Sequence, residues 1–268
     1  MAGAAKIKQA SARALAFAKS NYCIFCGGVV DGTTVDHCPP RSIFVNREWP
    51  ENFVFPACVT CNAGSREAEN VLGFLTRLYS AKEGENEVQE FEKYVKTLRA
   101  NYPQEMRQMT KMPISARRQF VRQNELVLPP GATHLDIPIV HIPRLWVDLV
   151  EGFGAKLTKG IHFHETGRVC PPQSDVWSYM IPNAAEVKTP FSPEILQAMG
   201  RTHNLVRSKK DLSDQFGYLT ERTEDGSAAL YVYQFNQSFK LMSLYHDDGH
   251  VVHDVAQKWN AGGFKAVQ

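Results

Sequence analysis

The chain has 268 residues, 43% hydrophobic and 10% aromatic, with a formal net charge of +2. That length suits one large or two ordinary domains, and that composition excludes a disordered chain. Apolar runs far below 18 residues exclude a helical membrane span, and no segment has the apolar h-region of a signal peptide, so a mature cytoplasmic protein is expected.

In chain order, residues 4–20 are rich in Ala with Lys and Arg interspersed, the pattern of a short helix. Cys23-Ile-Phe-Cys26 follows, then the turn Asp31-Gly32-Thr33 and a strand ending at Val35-Asp36-His37. The loop after it carries Pro39, Pro40, Arg41 and Trp49, and Asn52–Pro56 forms the return strand. Cys58-Val-Thr-Cys61-Asn62 leads into a helix whose buried stripe is Ala68, Val71, Leu72, Leu75 and Leu78, with Ser65 as its cap and Glu67 and Glu69 in its first turn. A second helix spans about 86–100, with Val88, Phe91, Val95 and Leu98 on one side. Residues 104–124 form a basic segment split by Pro113, in which Arg107, Lys111, Arg117, Arg118 and Arg122 face no acidic residue between 106 and 124. The Pro-rich stretch 128–143 is the best domain boundary in the chain. Beyond it, Arg144–Lys156 reads as a helix with Leu145, Leu149 and Phe153 aligned. Strand-like runs follow: GIHFHE, DVWSYMI, FGYLTER, AALYVYQF and SFKLMSLYH, the later ones separated by Glu-Asp-Gly and Asp-Asp-Gly turns. The fold class is therefore α+β, with a metal-bearing N-terminal module (1–127), a Pro-rich linker (128–143) and an antiparallel-sheet domain (144–268).

Four cysteines form two C-x-x-C knuckles, Cys23/Cys26 and Cys58/Cys61, with 31 residues between them. Two such knuckles complete a tetrahedral S₄ site for a structural zinc, and Cys38 and Cys170 are left as free thiols. With the zinc filled, Asp36, His37 and Asn62 are available for other chemistry. His37 has a side-chain pKa suited to taking a proton from water. Asp36 and Asn62 offer oxygens to a hard cation.

The order C-x-x-C, D-H, N, C-x-x-C-N, carried by CIFC, TVDHCPPRSIF and ENFVFPACVTCN, resembles the HNH endonucleases of ββα-metal fold in their zinc-ribbon form. The resemblance runs from Tyr22 to about Tyr79, roughly a fifth of the chain. It implies an HNH nuclease domain cutting DNA phosphodiesters, with 5′ phosphate and 3′ hydroxyl products. It gives His37 the role of general base, Asp36 and Asn62 that of ligands to a catalytic Mg²⁺ or Mn²⁺, and Asn52 that of brace for the base loop, an H-N-N variant. Arg41 and Arg66 flank this cluster as candidate phosphate contacts. The KGIHFHETG stretch loosely resembles an uncharacterised domain that accompanies HNH modules, and that half is expected to guide substrate choice or dock a regulatory or sensor protein.

Charge agrees with a polyanionic partner: residues 1–130 hold 17 Lys and Arg against 13 Asp and Glu, residues 131–268 hold 13 against 15. The alternative is a zinc-ribbon nucleic-acid-binding protein with an inactive HNH cluster. A toxin-like or phage-defence effector, silent until a partner arrives, is a further reading. Two other histidine groups are weaker metal candidates: His162 with His164, which would share one face of a strand, and His246, His250 and His253 near Asp247, Asp248 and Asp254.

Overall fold

The computed structural model describes residues 11–78, 85–110, 113–123, 130–133, 140–182, 205–236 and 238–261. Of the expected N-terminal helix, residues 11–17 are helical (α1) and residues 1–10 lie outside the described set. Strands β1 (Thr34–His37) and β2 (Val54–Ala57) pair antiparallel, with His37 opposite Val54. Helix α2 (Val59–Ala63) carries the second knuckle and leads into α3 (Arg66–Leu75). The α3 stripe is buried as its spacing requires, at Ala68, Val71, Leu72 and Leu75. Ser65 stands at the N-cap position but makes no cap; its hydroxyl donates to Glu69 Oε1 at 2.6 Å.

Next come α4 (Glu85–Asn101), α5 (Pro103–Thr110) and α6 (Ile114–Gln123), the last two separated near Pro113. Phe74 of α3 stacks on Phe91 of α4 with ring centroids 5.5 Å apart. Helix α7 (Arg144–Thr166) is followed by β3 (Asp175–Pro182), the short strands β4 (Val206–Arg207) and β5 (Lys210–Asp211), then β6 (Phe216–Arg222), β7 (Ala228–Phe235), β8 (Phe239–His246) and α8 (Gly249–Ala261). Four strands form one antiparallel sheet in the order β3-β8-β7-β6, and β4-β5 is a separate hairpin. Alternation along β7 sends Tyr231, Tyr233 and Phe235 to the α7 side and Val232 to the other, where it joins Ile181, Met242 and Trp259. None of the described helices is long and apolar enough to cross a membrane.

One expectation is corrected. GIHFHE is the last part of α7, not a strand. Its apolar alternation is local. Over the longer window, Trp146, Val150, Phe153, Leu157 and Ile161 keep a helical repeat and are all buried. The helix ends only at Gly167, whose φ of 69° closes the last turn as its amide bonds to Phe163 O at 2.8 Å. Of the expected boundary at 128–143, residues 128–129 and 134–139 lie outside the described set. One buried cluster runs across it, from Phe25, Cys38, Leu72 and Phe74 to Trp146, Leu157, Tyr233 and Phe239. Proline density reports where helices and strands stop. It says nothing about how the elements on either side pack, and α7 buries one flank on the sheet and another on α3.

One glycine makes that packing close. A Cβ on Gly160 would lie 2.8 Å from Cys38 Sγ, so only glycine lets α7 run against the end of β1. The same approach brings Lys156, one turn earlier, onto Asp36.

Candidate metal centre and anion site

The first knuckle is a tight loop in which Cys23 N bonds to Val30 O at 2.9 Å and Gly28 N to Cys23 O at 3.0 Å. The second sits at the start of α2, where Cys58 is the N-cap and its Sγ accepts from Cys61 N at 3.4 Å. The four sulfurs all lie within 4.8 Å of one another, the spacing a tetrahedral zinc thiolate site needs. Burial and the neighbouring sulfurs push Cys61 far up, while hydrogen bonding from the Cys61 amide lowers Cys58. Four thiols so close resist ionising together unless a cation is present, and a bound metal inverts that balance. The residues present therefore fit zinc. Cys38 and Cys170 are buried elsewhere, and burial raises both thiols.

Asp36 and His37 are consecutive in β1 and so face opposite sides. Asp36, 6% exposed, looks into the protein. Its carboxylate forms a close ion pair with Lys156, whose ammonium also reaches Ser65 Oγ and lies 3.6 Å from Glu69 Oε1 and 5.3 Å from the Phe25 ring centre. Burial raises the Asp36 carboxyl to about 6 against the pull of Lys156. Burial works to lower Lys156, but Asp36 and Glu69 outweigh it, so the ammonium stays charged. Asn62 lies on the same side: its Nδ2 donates to Thr34 Oγ1 at 3.0 Å and to Val35 O at 3.2 Å. These residues, as arranged, do not fit the divalent cation that the resemblance implies, because a lysine ammonium already stands against the one carboxylate.

His37 faces a different group. Its ring meets Trp49 edge-on at 4.4 Å between centroids. The guanidinium carbons of Arg41 and Arg207 lie 4.4 Å and 3.8 Å from the Trp49 ring centre. Arg41 Nε donates to Arg47 O at 3.4 Å. His37 Nε2 is buried and has no hydrogen-bond partner, while its backbone N–H donates to Asp36 Oδ1 at 2.8 Å. Burial, then Arg41, Arg207 and Arg47, lower its pKa to about 4, so the ring is neutral at pH 7 with a basic nitrogen held among cations.

The remaining candidates separate. Asn52 is exposed, in a left-handed turn at φ 67°, and its side chain makes no hydrogen bond to His37; what it supplies is the turn into β2. Arg66 is exposed at the first turn of α3, with no described contact to the His37 group. Of the expected set, the structure groups Arg41 with His37, while Asp36 is taken by Lys156 and Asn62 bonds to Thr34 and Val35. It adds Arg47, Trp49, Arg207 and Lys156, to which no role was given. Arg207 had one local cue, the basic turn Arg-Ser-Lys-Lys; Lys156 had none.

The other histidine groups hold no metal cluster among the described residues, where the cysteines are the one set of three or more close ligands. In a helix, His162 and His164 point apart: His162 Nδ1 bonds the Tyr231 hydroxyl at 2.9 Å inside the core, and His164 stacks on Phe53 at 4.2 Å. His246 Nδ1 accepts from Asp248 N, and Asp247 pairs with Arg168.

Comparison of the chain with protein-family models, with curated proteins and with solved structures gives no match. The reading of this site rests on its own residues and on the motif order.

Proposed function

We propose that this protein is a zinc-stabilised nuclease of HNH type that hydrolyses phosphodiesters in DNA, with His37 as general base. One observation carries the reading: His37, against Trp49, holds an unpartnered Nε2 beside the cations Arg41, Arg47 and Arg207. A base for water must be neutral at working pH, and the oxygens of the scissile phosphate need positive charge around them. The lone pair on Nε2 takes the proton of the attacking water, while the guanidiniums hold the phosphate oxygens and the charge that builds on them. The zinc contributes structure, by tying the loop of the first knuckle to the helix start that carries Asn62. Mg²⁺ or Mn²⁺ belongs to this reading through the motif order alone, since Asp36 is already paired.

That same pairing favours a second reading, a zinc-ribbon protein that binds nucleic acid without cutting it. Purified protein incubated with plasmid DNA, with Mg²⁺ or Mn²⁺ added or withheld, separates the two. The nuclease reading expects strand cleavage, and a loss on the order of 10²–10⁴ in rate for His37→Ala with zinc content and fold intact. Binding without cleavage under any of these conditions selects the second reading.

A further inference from the structure

The β4–β5 hairpin lies far along the chain from β1, yet it is built onto the loop that carries Trp49. Glu51 N donates to Val206 O at 2.9 Å, Ser208 N to Glu51 Oε1 at 2.8 Å and Lys210 Nζ to Glu48 Oε2 at 3.0 Å. Arg207 Nη1 donates to Trp49 O at 3.0 Å. The two carboxylates of the loop are thus used on the hairpin backbone and on Lys210, not on Arg207. At the hairpin tip Ser208 and Lys209 both have positive φ, 49° and 67°, a tight two-residue turn that costs energy without glycine or asparagine.

What this docking achieves is a crowd of like charge. Arg207 and Arg41 both lie against one indole, Arg47 follows in the same loop, and among the described residues none of the three has an ion pair with a carboxylate. Burial and the two neighbouring arginines hold Arg41 below its ordinary pKa. Stacking on Trp49 offsets little of that repulsion, since a cation–π contact at a partly exposed site contributes about 0.5–1 kcal/mol. A site in which three guanidinium groups repel one another is completed by an anion, and guanidinium forks match the oxygens of a phosphate.

We propose that the β4–β5 hairpin is a phosphate clamp: Arg207, brought from the second half of the chain, closes with Arg41 and Arg47 on one backbone phosphate of a nucleic acid strand next to His37. The choice of a nucleic acid over another phosphate rests on the reading of the motif order given above. The clamp makes Arg207 a positioning residue, and it explains why the hairpin is fastened to the Trp49 loop at four points.

The test is binding, measured apart from cleavage. Fluorescence anisotropy of a labelled single-stranded or duplex 20-mer, with full-length zinc-loaded protein and no added divalent metal, gives Kd as a function of salt. Arg207→Ala should weaken binding about tenfold or more and reduce the slope of log Kd against log salt by about one. Arg207→Lys should keep the slope and recover only part of the affinity, because the charge remains and the fork is lost. Lys258→Ala, exposed on α8 and away from the clamp, should change Kd less than about twofold. Zinc content and circular dichroism establish that each variant is folded, and Arg207→Lys carries the test if the alanine variant is not. Wild-type affinity and slope in Arg207→Ala overturns the clamp, as does an unchanged slope with Arg207→Lys weaker than alanine. Displacement of the labelled strand by millimolar inorganic phosphate as readily as by unlabelled DNA overturns the choice of nucleic acid. Binding through Arg207 without cleavage leaves the clamp standing and removes the nuclease; cleavage with no effect of Arg207→Ala does the reverse.

Discussion

On one face of β1 the Asp36 carboxylate meets Lys156, whose ammonium also reaches Ser65 and Glu69; on the other, His37 and Trp49 meet three arginines. Both groups are charged, and both join the first part of the chain to the second. They differ in compensation. Around Lys156 each charge has an opposite partner within the protein, and nothing further is required for the arrangement to be stable. Among the described residues the cations around His37 have none, and the buried Nε2 has no donor. A compensated ion pair is a fastening, while an uncompensated one is an open valence for something outside the chain. Adjacent residues of one strand can serve these two ends because alternation gives each its own side of the sheet.

The comparison can be broken at the four-cysteine site proposed to hold zinc. Cys58→Ser leaves three thiolates on the knuckles. The protein should lose its one zinc, by elemental analysis, and should melt without a cooperative transition in its N-terminal part, since structural zinc binding is worth on the order of 10 kcal/mol of folding energy. Metal-free protein melting at the wild-type temperature would remove the zinc assignment.

Breaking the compensated face should cost less than that but more than any change on the other. Lys156→Met strands a buried carboxylate, and denaturant unfolding at pH 7 should show a loss of about 3–5 kcal/mol. The sign of its pH dependence follows from Asp36. Without Lys156 nothing holds the Asp36 carboxyl down against burial, so its folded pKa in the variant lies above the wild-type value of about 6, and the deficit should shrink as pH falls toward about 6. A deficit that grows on acidification would mean that Asp36 is not the partner left behind. Arg207→Ala, by contrast, should shift stability by no more than about 1 kcal/mol, because it removes a stacking contact and relieves repulsion together. Equal losses at Lys156 and Arg207 would erase the distinction between the faces.

A smaller effect sharpens the contrast with a buried polar group that is neither fastening nor site. His162, inside the core against Tyr231 and Tyr245, has its pKa lowered to about 4, first by burial. Its folded pKa lies below its unfolded one, so its contribution is intact above about 6.5 and is lost as pH falls toward 4. His162→Gln should flatten that acid loss by on the order of 2 kcal/mol in denaturant titrations at pH 7 and pH 5. An unchanged slope would place the acid sensitivity in other groups.

Local chemistry fixed what the sequence could settle alone. Two C-x-x-C spacings require their sulfurs to converge in pairs, and the 3.6-residue stripe of α3 and the turn-bounded runs of the sheet follow from propensity and period. Where one period mimics another over six residues, as in GIHFHE, the reading failed, because only the longer register of α7 with its neighbours decides between helix and strand. The Pro-rich stretch was visible, but the shared core across it was not. The site divides along the same line. His37 and Arg41 stand four residues apart in one loop, so their association was legible. The meeting of Asp36 with Lys156 and of Trp49 with Arg207 joins residues more than a hundred positions apart. It exists because Gly160 admits α7 against β1 and because two glutamates fasten a hairpin to the Trp49 loop. Which charges end up compensated is decided by those packings, since Coulomb interactions depend on distance in space and on burial, neither of which the order of residues specifies.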